Sequence, residues 1–276
     1  MTAFTLPVIR IRPAGKWKPI DPRELWAYRE LVYYMVWRDI KVRYKQTVLG
    51  VGWALIQPVA SMVMFTIVFG RLAQLPSDGA PYAVFTLAAL LPWQLFSGAF
   101  NGASNSVASN AGIITKVYFP RLIIPIASVV ATLVDFFVSL VLLGVVMVWY
   151  GVGFGPNLIF IPIFAAAALF TALAGGLWSA ALNVKYRDIR YVLPYLLQLW
   201  LFASPVAYSI TLVPEKYQAW YALNPLVGVI QGFRWALFGG PSPWHLMVGS
   251  TLVAAAMFAG GLFYFRKAED VFSDLV

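Results

Sequence analysis

The chain has 276 residues, of which 61% are hydrophobic and only 11% are charged, whereas soluble domains carry about 25% charged residues. This composition is that of an integral membrane protein, and the absence of cysteine excludes disulfides, thiolate metal sites and cysteine nucleophiles. The net charge of +9 would also suit nucleic acid, but the basic residues cluster at the ends of apolar segments, and that placement excludes nucleic acid as a partner.

The chain begins with a basic segment. Residues 1–20 contain three prolines and four basic residues, and no apolar core of signal-peptide length. We therefore expect an irregular cytoplasmic arm without a cleavable signal.

A helix follows the arm. Asp21, Pro22 and Glu24 form a helix-start pattern of a capping residue, a proline at the first helical position and an acid three residues after the cap. Apolar side chains occupy one face of the helix as far as residue 45, so it is a basic amphipathic helix suited to the membrane interface. Packing on a soluble partner is the alternative. The basic residues assigned to the interface are Arg38, Lys41, Arg43 and Lys45.

The first membrane span is predicted at 46–70. These 25 residues carry no charge, and as a helix they reach about 37 Å, which is enough to cross the hydrocarbon core. The basic block at 38–45 directly precedes the span and should stay in the cytoplasm, which fixes the direction of crossing.

The second span is predicted at 82–109 and the third at 122–149. Small polar residues such as Asn101 and Ser104 in the second span favour close helix packing, with a wet lumen as the less common alternative. Asp135 lies near the middle of the third span, where a lone carboxylate costs about 2.5–3.5 kcal/mol on insertion scales. It must therefore face protein or water, either on a polar transport path or in a tie between helices.

The fourth span is predicted at 157–183 and the fifth at 191–211, where Pro194 and Pro205 predict kinks. The sixth span is predicted at 244–265 and is followed by a charged tail.

Residues 212–243 are mostly apolar but carry Glu215, Lys216 and Arg234, and they break at Asn224-Pro225. We predict two half-helices that re-enter the outer leaflet, because such backbone is tolerated where it lines a cavity. An ordinary outer loop is the alternative.

The distribution of basic residues fixes the predicted topology. Seventeen Lys and Arg residues fall on the side of the N-terminal helix and three on the other, which is a strong positive-inside signal. The sequence therefore predicts an all-α integral membrane protein with six transmembrane helices and both termini in the cytoplasm. Its two parts are the arm and interface helix, 1–45, and the membrane domain, 46–276.

Motifs for self-contained chemistry are missing from the sequence. It contains no nucleotide-phosphate loop and no hydrolase or zinc-protease motif. Asp135 is the single ionisable residue deep in a predicted span, whereas ion-driven carriers need several or visibly broken helices. These observations favour a non-enzymatic pore former that another subunit drives.

Two short cytoplasmic islands, 116–121 and 185–190, combine charges with aromatic rings and are natural docking points for a soluble motor. Anchoring of span ends is the alternative. The candidate coupling residues are Lys116, Val117, Tyr118, Phe119, Pro120, Arg121, Lys185, Arg187, Asp188 and Arg190.

Aromatic residues make up 16% of the chain, and many flank the predicted spans as interfacial belts do. Others lie within or beside the spans, where their faces could stack on sugar rings, although lipid or helix contact is the more common role. The candidate channel-lining residues are Phe65, Phe69, Trp93, Phe96, Trp200, Phe202 and Tyr208.

Six stretches of the sequence together resemble the membrane subunit of type-2 ABC exporters for polysaccharides, the family of O-antigen, capsule and teichoic acid export. These stretches are 38–58, 90–99, 116–125, 181–194, 204–208 and 223–239. The first 20 residues and the tail match weakly.

The resemblance implies a homodimeric pore in the bacterial cytoplasmic membrane, paired with two copies of a nucleotide-binding ATPase that hold the ATP and Mg²⁺. It implies an undecaprenyl-linked glycan as the substrate, and membrane lipids around the pore. It also implies that island 116–121 couples to the ATPase and that the first and fifth spans line the pore. An exporter of a drug, haem or lipid, and a secondary carrier, are the alternatives.

Overall fold

The computed structural model describes residues 22–45, 52–186, 188–269 and 272. The regular structure within these ranges is entirely helical, as the predicted spans require. The predicted arm at 1–20, the predicted start of the first span and Arg187 lie outside the described residues.

Two N-terminal helices replace the single predicted one. Helix α1 (Pro22–Ala27) and helix α2 (Arg29–Lys45) are separated at Tyr28. The predicted apolar face is confirmed, because its six residues pack on one hydrophobic cluster. They are Leu25, Tyr28, Leu31, Val32, Met35 and Val36.

Within the described residues, five helices are long and apolar enough to cross a membrane, and they coincide with five of the six predicted spans. A chain with these five helices is a multi-pass membrane protein. Their parts are α3 (Gly52–Phe65) with a π-helical continuation (Thr66–Leu72), α4 (Tyr82–Ser109), α6 (Ile123–Ala131) with α7 (Leu133–Trp149), a 3₁₀ turn (Pro156–Phe160) with α8 (Ile161–Lys185), and α12 (Trp244–Glu269). The short helix α5 (Ala111–Ile114) follows α4.

The predicted fifth span contains a shorter helix. Helix α9 (Ile189–Phe202) has 14 residues, which corresponds to about 21 Å, and turns follow it. The predicted end at residue 211 is therefore too late for the helix. Pro205 disfavours helical backbone at Ser204, whereas Pro194 lies inside the helix.

The segment after these turns forms two helices, as predicted, with the break at Asn224. They are α10 (Glu215–Tyr221) and α11 (Pro225–Phe238). The Asn224 side chain accepts a hydrogen bond from the backbone N–H of Leu226 at 3.1 Å, which caps α11. Helix α11 packs against α4, α8 and α12.

Helix α4 is the centre of the fold and contacts α3, α6, α7, α8, α9 and α11. Small residues bring α4 and α8 close together, since a Cβ atom on Gly176 would lie 2.6 Å from the Cβ of Ala103. Nearby, the Asn183 amide donates to the carbonyl of Ser104 and to the side chain of Asn105, both at 3.0 Å. The packing interpretation of the small polar residues is therefore confirmed for these positions.

Candidate functional site

A cavity of about 370 Å³ lies where the C-terminal end of α2 meets α3, α4 and the junction between α6 and α7. Its polar side chains come from distant parts of the chain. They include Arg43, Tyr44, Gln57, Gln94, Asn101 and Asp135, and the hydroxyls of Ser97, Thr132 and Ser139 also line the cavity.

Asp135 occupies the first turn of α7 and accepts hydrogen bonds from Arg43 and Tyr44 at the end of α2. Helix α2 packs along α6, and 12 residues separate Asp135 from the first residue of α6, which corresponds to about 18 Å along the helix axis. The carboxylate thus has the partners that a position inside an apolar span demands. The predicted tie between helices is present, and the same carboxylate also faces the cavity, so its role on a transport path stays a prediction.

Tyr44 acts as a neutral donor in this tie. Burial, followed by the hydrogen bond to Asp135, raises the pKa of the Tyr44 hydroxyl to about 12. The phenol therefore stays protonated across the physiological pH range and donates to the Asp135 carboxylate.

Three amide side chains complete the polar wall. Gln57, Gln94 and Asn101 make no side-chain hydrogen bond within the described part of the chain, although each offers two donors and an acceptor. The sequence reasoning did not single out Gln57 and Gln94. An amide inside an otherwise apolar span was the available signal, since such groups face protein or a wet cavity.

Three of the candidate channel-lining aromatics belong to an internal cluster of this chain. Phe96 and Trp93 are buried, and the Trp200 ring meets Phe96 edge-on with centroids 5.1 Å apart. The Trp200 indole also donates to the Asn224 side chain at 3.0 Å and so supports the cap of α11. These contacts make Trp200 a packing residue, and a role in the pore stays a prediction for all three.

The other four candidates lie apart from the cavity. Phe65 and Phe69 are half-buried and meet edge-on, with centroids 5.3 Å apart, and Phe65 also packs against the cluster of Trp93 and Phe96. Phe202 is exposed at the end of α9, and the Tyr208 hydroxyl bonds with Tyr221. The structure does not bring the seven aromatics together on one surface of a single copy.

Island 116–121 is divided between exposed and buried side chains. Lys116, Val117 and Tyr118 are exposed, and Tyr118 reaches 78%, whereas Phe119 and Pro120 are buried. Phe119 was predicted to anchor an ATPase together with Tyr118. It packs instead in the chain's own core, so Tyr118 is the ring that faces outward, and ATPase contact stays a prediction.

The same island is fastened to the end of α12. The Arg121 guanidinium donates to the Glu269 carbonyl at 2.8 Å, and the Arg121 backbone N–H donates to the Glu269 carboxylate at 3.2 Å. Arg266 bridges to the other oxygen of that carboxylate at 3.1 Å. The C-terminal end of the last helix therefore holds the island in place.

The second island presents its charges outward. Lys185, Asp188 and Arg190 are exposed, and the cations of Lys185 and Arg190 lie 5.2 and 4.9 Å from the neighbouring tyrosine rings. Lys185, Asp188 and Arg190 therefore form a charged surface, and no side-chain hydrogen bond joins these three residues to another helix in the described part of the chain.

The four basic residues of α2 that were assigned to the membrane interface have different surroundings. Arg38 pairs with Asp39 at 2.7 Å, Lys41 lies 5.0 Å from the Trp37 ring centre and Lys45 is exposed. Of these four assigned residues, Arg43 is the one that lines the cavity. The location of α2 at the headgroups stays a prediction.

Arg234, one of the three basic residues predicted on the outer side, is buried in α11. Its guanidinium donates to the carbonyls of Val206 at 3.0 Å and Tyr208 at 3.1 Å, and lies 3.6 Å from the Phe85 ring centre. It therefore fastens the turns after α9 to α11 and α4.

Within the described ranges, no group of three or more His, Asp or Glu residues lies together as a metal site requires.

Comparison with known proteins gives a consistent family. The family model described as ABC-2 type transporter matches residues 30–238. The chain is 31% identical over 214 residues to the O-antigen export system permease protein RfbA of Myxococcus xanthus, covering 77% of this chain and 82% of that protein.

Two further relatives extend the comparison. The O-antigen export system permease protein RfbA of Klebsiella pneumoniae is 25% identical, with 90% of this chain and 95% of that protein covered. The polysialic acid transport protein KpsM of Escherichia coli is 26% identical, with 84% of this chain and 91% of that protein covered.

Proposed function

The chain belongs to the ABC-2 type transporter family, and from that premise we propose that it is the membrane-spanning permease subunit of an ATP-driven polysaccharide exporter. The observation that carries the proposal is the match to the Myxococcus xanthus O-antigen permease over 77% of this chain. The family match extends from the start of α2 to the end of α11 and includes both cytoplasmic islands and the cavity. The cargo is a polysaccharide on a lipid carrier of the undecaprenyl type.

The motor is a separate subunit in this proposal. Two copies of a partner ATPase hold the ATP and Mg²⁺, which is consistent with the lack of a phosphate-binding loop in this sequence. The exposed Tyr118 and the charged island at 185–190 are the surfaces offered to it. A second copy of the chain completes the pore, and α3 and α9, whose large apolar side chains are exposed within one copy, line it.

The proposed topology has six crossings in the bacterial cytoplasmic membrane, with both termini inside. Helix α9 and the turns held by Arg234 form the fifth crossing, and α10 and α11 re-enter from the outside. The charge distribution supports this orientation. Because the chain lacks cysteine, an impermeant maleimide should label Ala73→Cys in intact cells and should not label Asp188→Cys; labelling of both would contradict the topology.

Depletion of the chain in its own bacterium tests the function. We expect the lipid-linked polysaccharide to accumulate inside the cell while surface polysaccharide declines, because synthesis continues without export. A hydrolysis-deficient partner ATPase should give the same result. If surface polysaccharide were unchanged and a drug, haem or other lipid accumulated inside the cell, that compound and not a polysaccharide would be the substrate.

A further inference from the structure

The cavity between α2, α3, α4 and α7 holds hydrogen-bonding capacity that the protein does not use. The side chains of Gln57, Gln94 and Asn101 line it and make no hydrogen bond within the described part of the chain. Gln57 is exposed, and Gln94 and Asn101 are half-buried, so water or a polar ligand in the cavity can reach all three amides. Lipid tails cannot hydrogen bond to amide groups, so a polar occupant of the cavity suits these side chains better than lipid does.

The charges on the cavity wall favour an uncharged ligand. The cation of Arg43 and the carboxylate of Asp135 form an ion pair with each other. An anionic ligand would meet the Asp135 carboxylate, and a cationic ligand would meet the Arg43 guanidinium. A neutral ligand that both donates and accepts hydrogen bonds suits the amides best, and sugar hydroxyls have this property.

The shape of the cavity favours a single sugar unit or a disaccharide. Trp53 lines the cavity with its side chain 55% exposed, so the ring face is available for stacking. The volume of about 370 Å³ lies at the low end of the range for small-molecule sites, so a long glycan cannot lie inside it. The cavity suits one part of a longer chain.

We propose that this cavity is a sugar-binding site in which Gln57, Gln94 and Asn101 hydrogen bond to the hydroxyls of an uncharged sugar unit while Trp53 stacks on its ring. The inference rests on the proposed function, because the sugar unit belongs to the polysaccharide that the transporter exports. The Arg43–Asp135 ion pair forms part of the wall and links occupancy of the site to the end of α2.

The test uses the complete transporter with its ATPase in lipid nanodiscs. The probe is the repeat-unit oligosaccharide released by mild acid from the bacterium's own polysaccharide, with binding measured by calorimetry. Gln94→Leu combined with Asn101→Leu should weaken binding at least tenfold, because two hydrogen-bonding side chains are removed. Asn157→Leu removes an amide in the 3₁₀ turn Pro156–Phe160, away from the cavity lining and from α3 and α9, and should leave binding unchanged.

A second variant covers the outcome in which the double variant does not fold. Trp53→Leu changes a side chain that is already exposed, and it should weaken binding of the same oligosaccharide at least threefold with an unchanged melting temperature. Wild-type binding that neither the double variant nor Trp53→Leu alters would overturn the site.

Export by the wild-type complex separates this inference from the proposed function. A complex that exports polysaccharide and does not bind the oligosaccharide overturns the sugar site and leaves the function standing. A complex that exports no polysaccharide overturns the proposed function itself. The binding measurement therefore tests the sugar site, and the export measurement tests the proposed function, independently of each other.

Discussion

Two neighbouring spans show how differently apolar helices of this chain are used. The first span (Gly52–Leu72) and α4 are both long and apolar enough to cross a membrane, but 6% of the most apolar stretch is buried in the first and 83% in the second. Helix α4 carries small residues that let α8 approach closely, as at Ala103. The first span instead exposes bulky side chains such as Trp53, Ile56 and Met64. Hydropathy identifies both spans, and small residues decide which one becomes the centre.

The largest expected effect repeats this contrast within two adjacent residues. Phe119 is 4% exposed in the core, so Phe119→Ala should reduce the free energy of unfolding by about 3–5 kcal/mol. Tyr118→Ala should change it by less than about 0.5 kcal/mol, because the ring lies outside the fold. Thermal unfolding of the purified chain in detergent measures both. Equal melting temperatures would contradict the division of the island.

The next effect compares the two spans directly. Leu91 is fully buried on α4 and Met64 is exposed on α3, and both side chains are reduced by mutation to alanine. Leu91→Ala leaves a cavity and should destabilise the chain by about 2–5 kcal/mol, whereas Met64→Ala should cost less than about 0.5 kcal/mol. If Met64→Ala destabilised one chain as much as Leu91→Ala, α3 would be part of the core after all.

A third effect concerns the approach of α8 to α4. Gly176→Val would place side-chain atoms against Ala103 and should cost about 1–3 kcal/mol through overpacking. Gly144→Val on α7 is the matched control, since a Cβ atom there meets nothing within 4 Å. A melting temperature for Gly176→Val equal to that of the control would show that α4 and α8 are not held by close contact.

The smallest effect on stability is expected for the Arg43–Asp135 pair. This pair joins the end of α2 to α7, beside the first span and α4. The side chains of Arg43 and Asp135 are each more than a third exposed, so Asp135→Asn should change the free energy of unfolding by less than about 1 kcal/mol. Export should fall if the Asp135 carboxylate serves the transport path. The double variant Arg43→Gln with Asp135→Asn restores a neutral pair. Recovery of export in this double variant would assign Asp135 to the tie, and continued loss would assign it to the path.

Much of the fold could be predicted from the sequence because apolar length and charge mark the spans. Helix α4 spans Tyr82–Ser109, as the sequence predicts, and the break at Asn224 follows from its capping side chain and Pro225. The end of α9 at Phe202 was not predicted, although Pro205 marks it one turn later.

The cavity could not be predicted, because its polar residues lie on four helices whose rotation about their axes hydropathy does not determine. Gln57 and Gln94 are far apart in the sequence, and they line the same cavity because α3 packs on α4. The opposite burial of Tyr118 and Phe119 was missed for a related reason. Neighbouring residues in a short turn point in different directions, and tertiary packing decides which of them is covered.

Reconstitution of the chain with its ATPase tests the central claim most directly. The complex is placed in proteoliposomes, the lipid-linked polysaccharide is supplied on the ATPase side, and its protection from an added glycosidase is measured. The account predicts protection that requires ATP and that a hydrolysis-deficient ATPase abolishes. Protection without ATP, or ATP hydrolysis by the assembled complex without any protection of the polysaccharide, would contradict it.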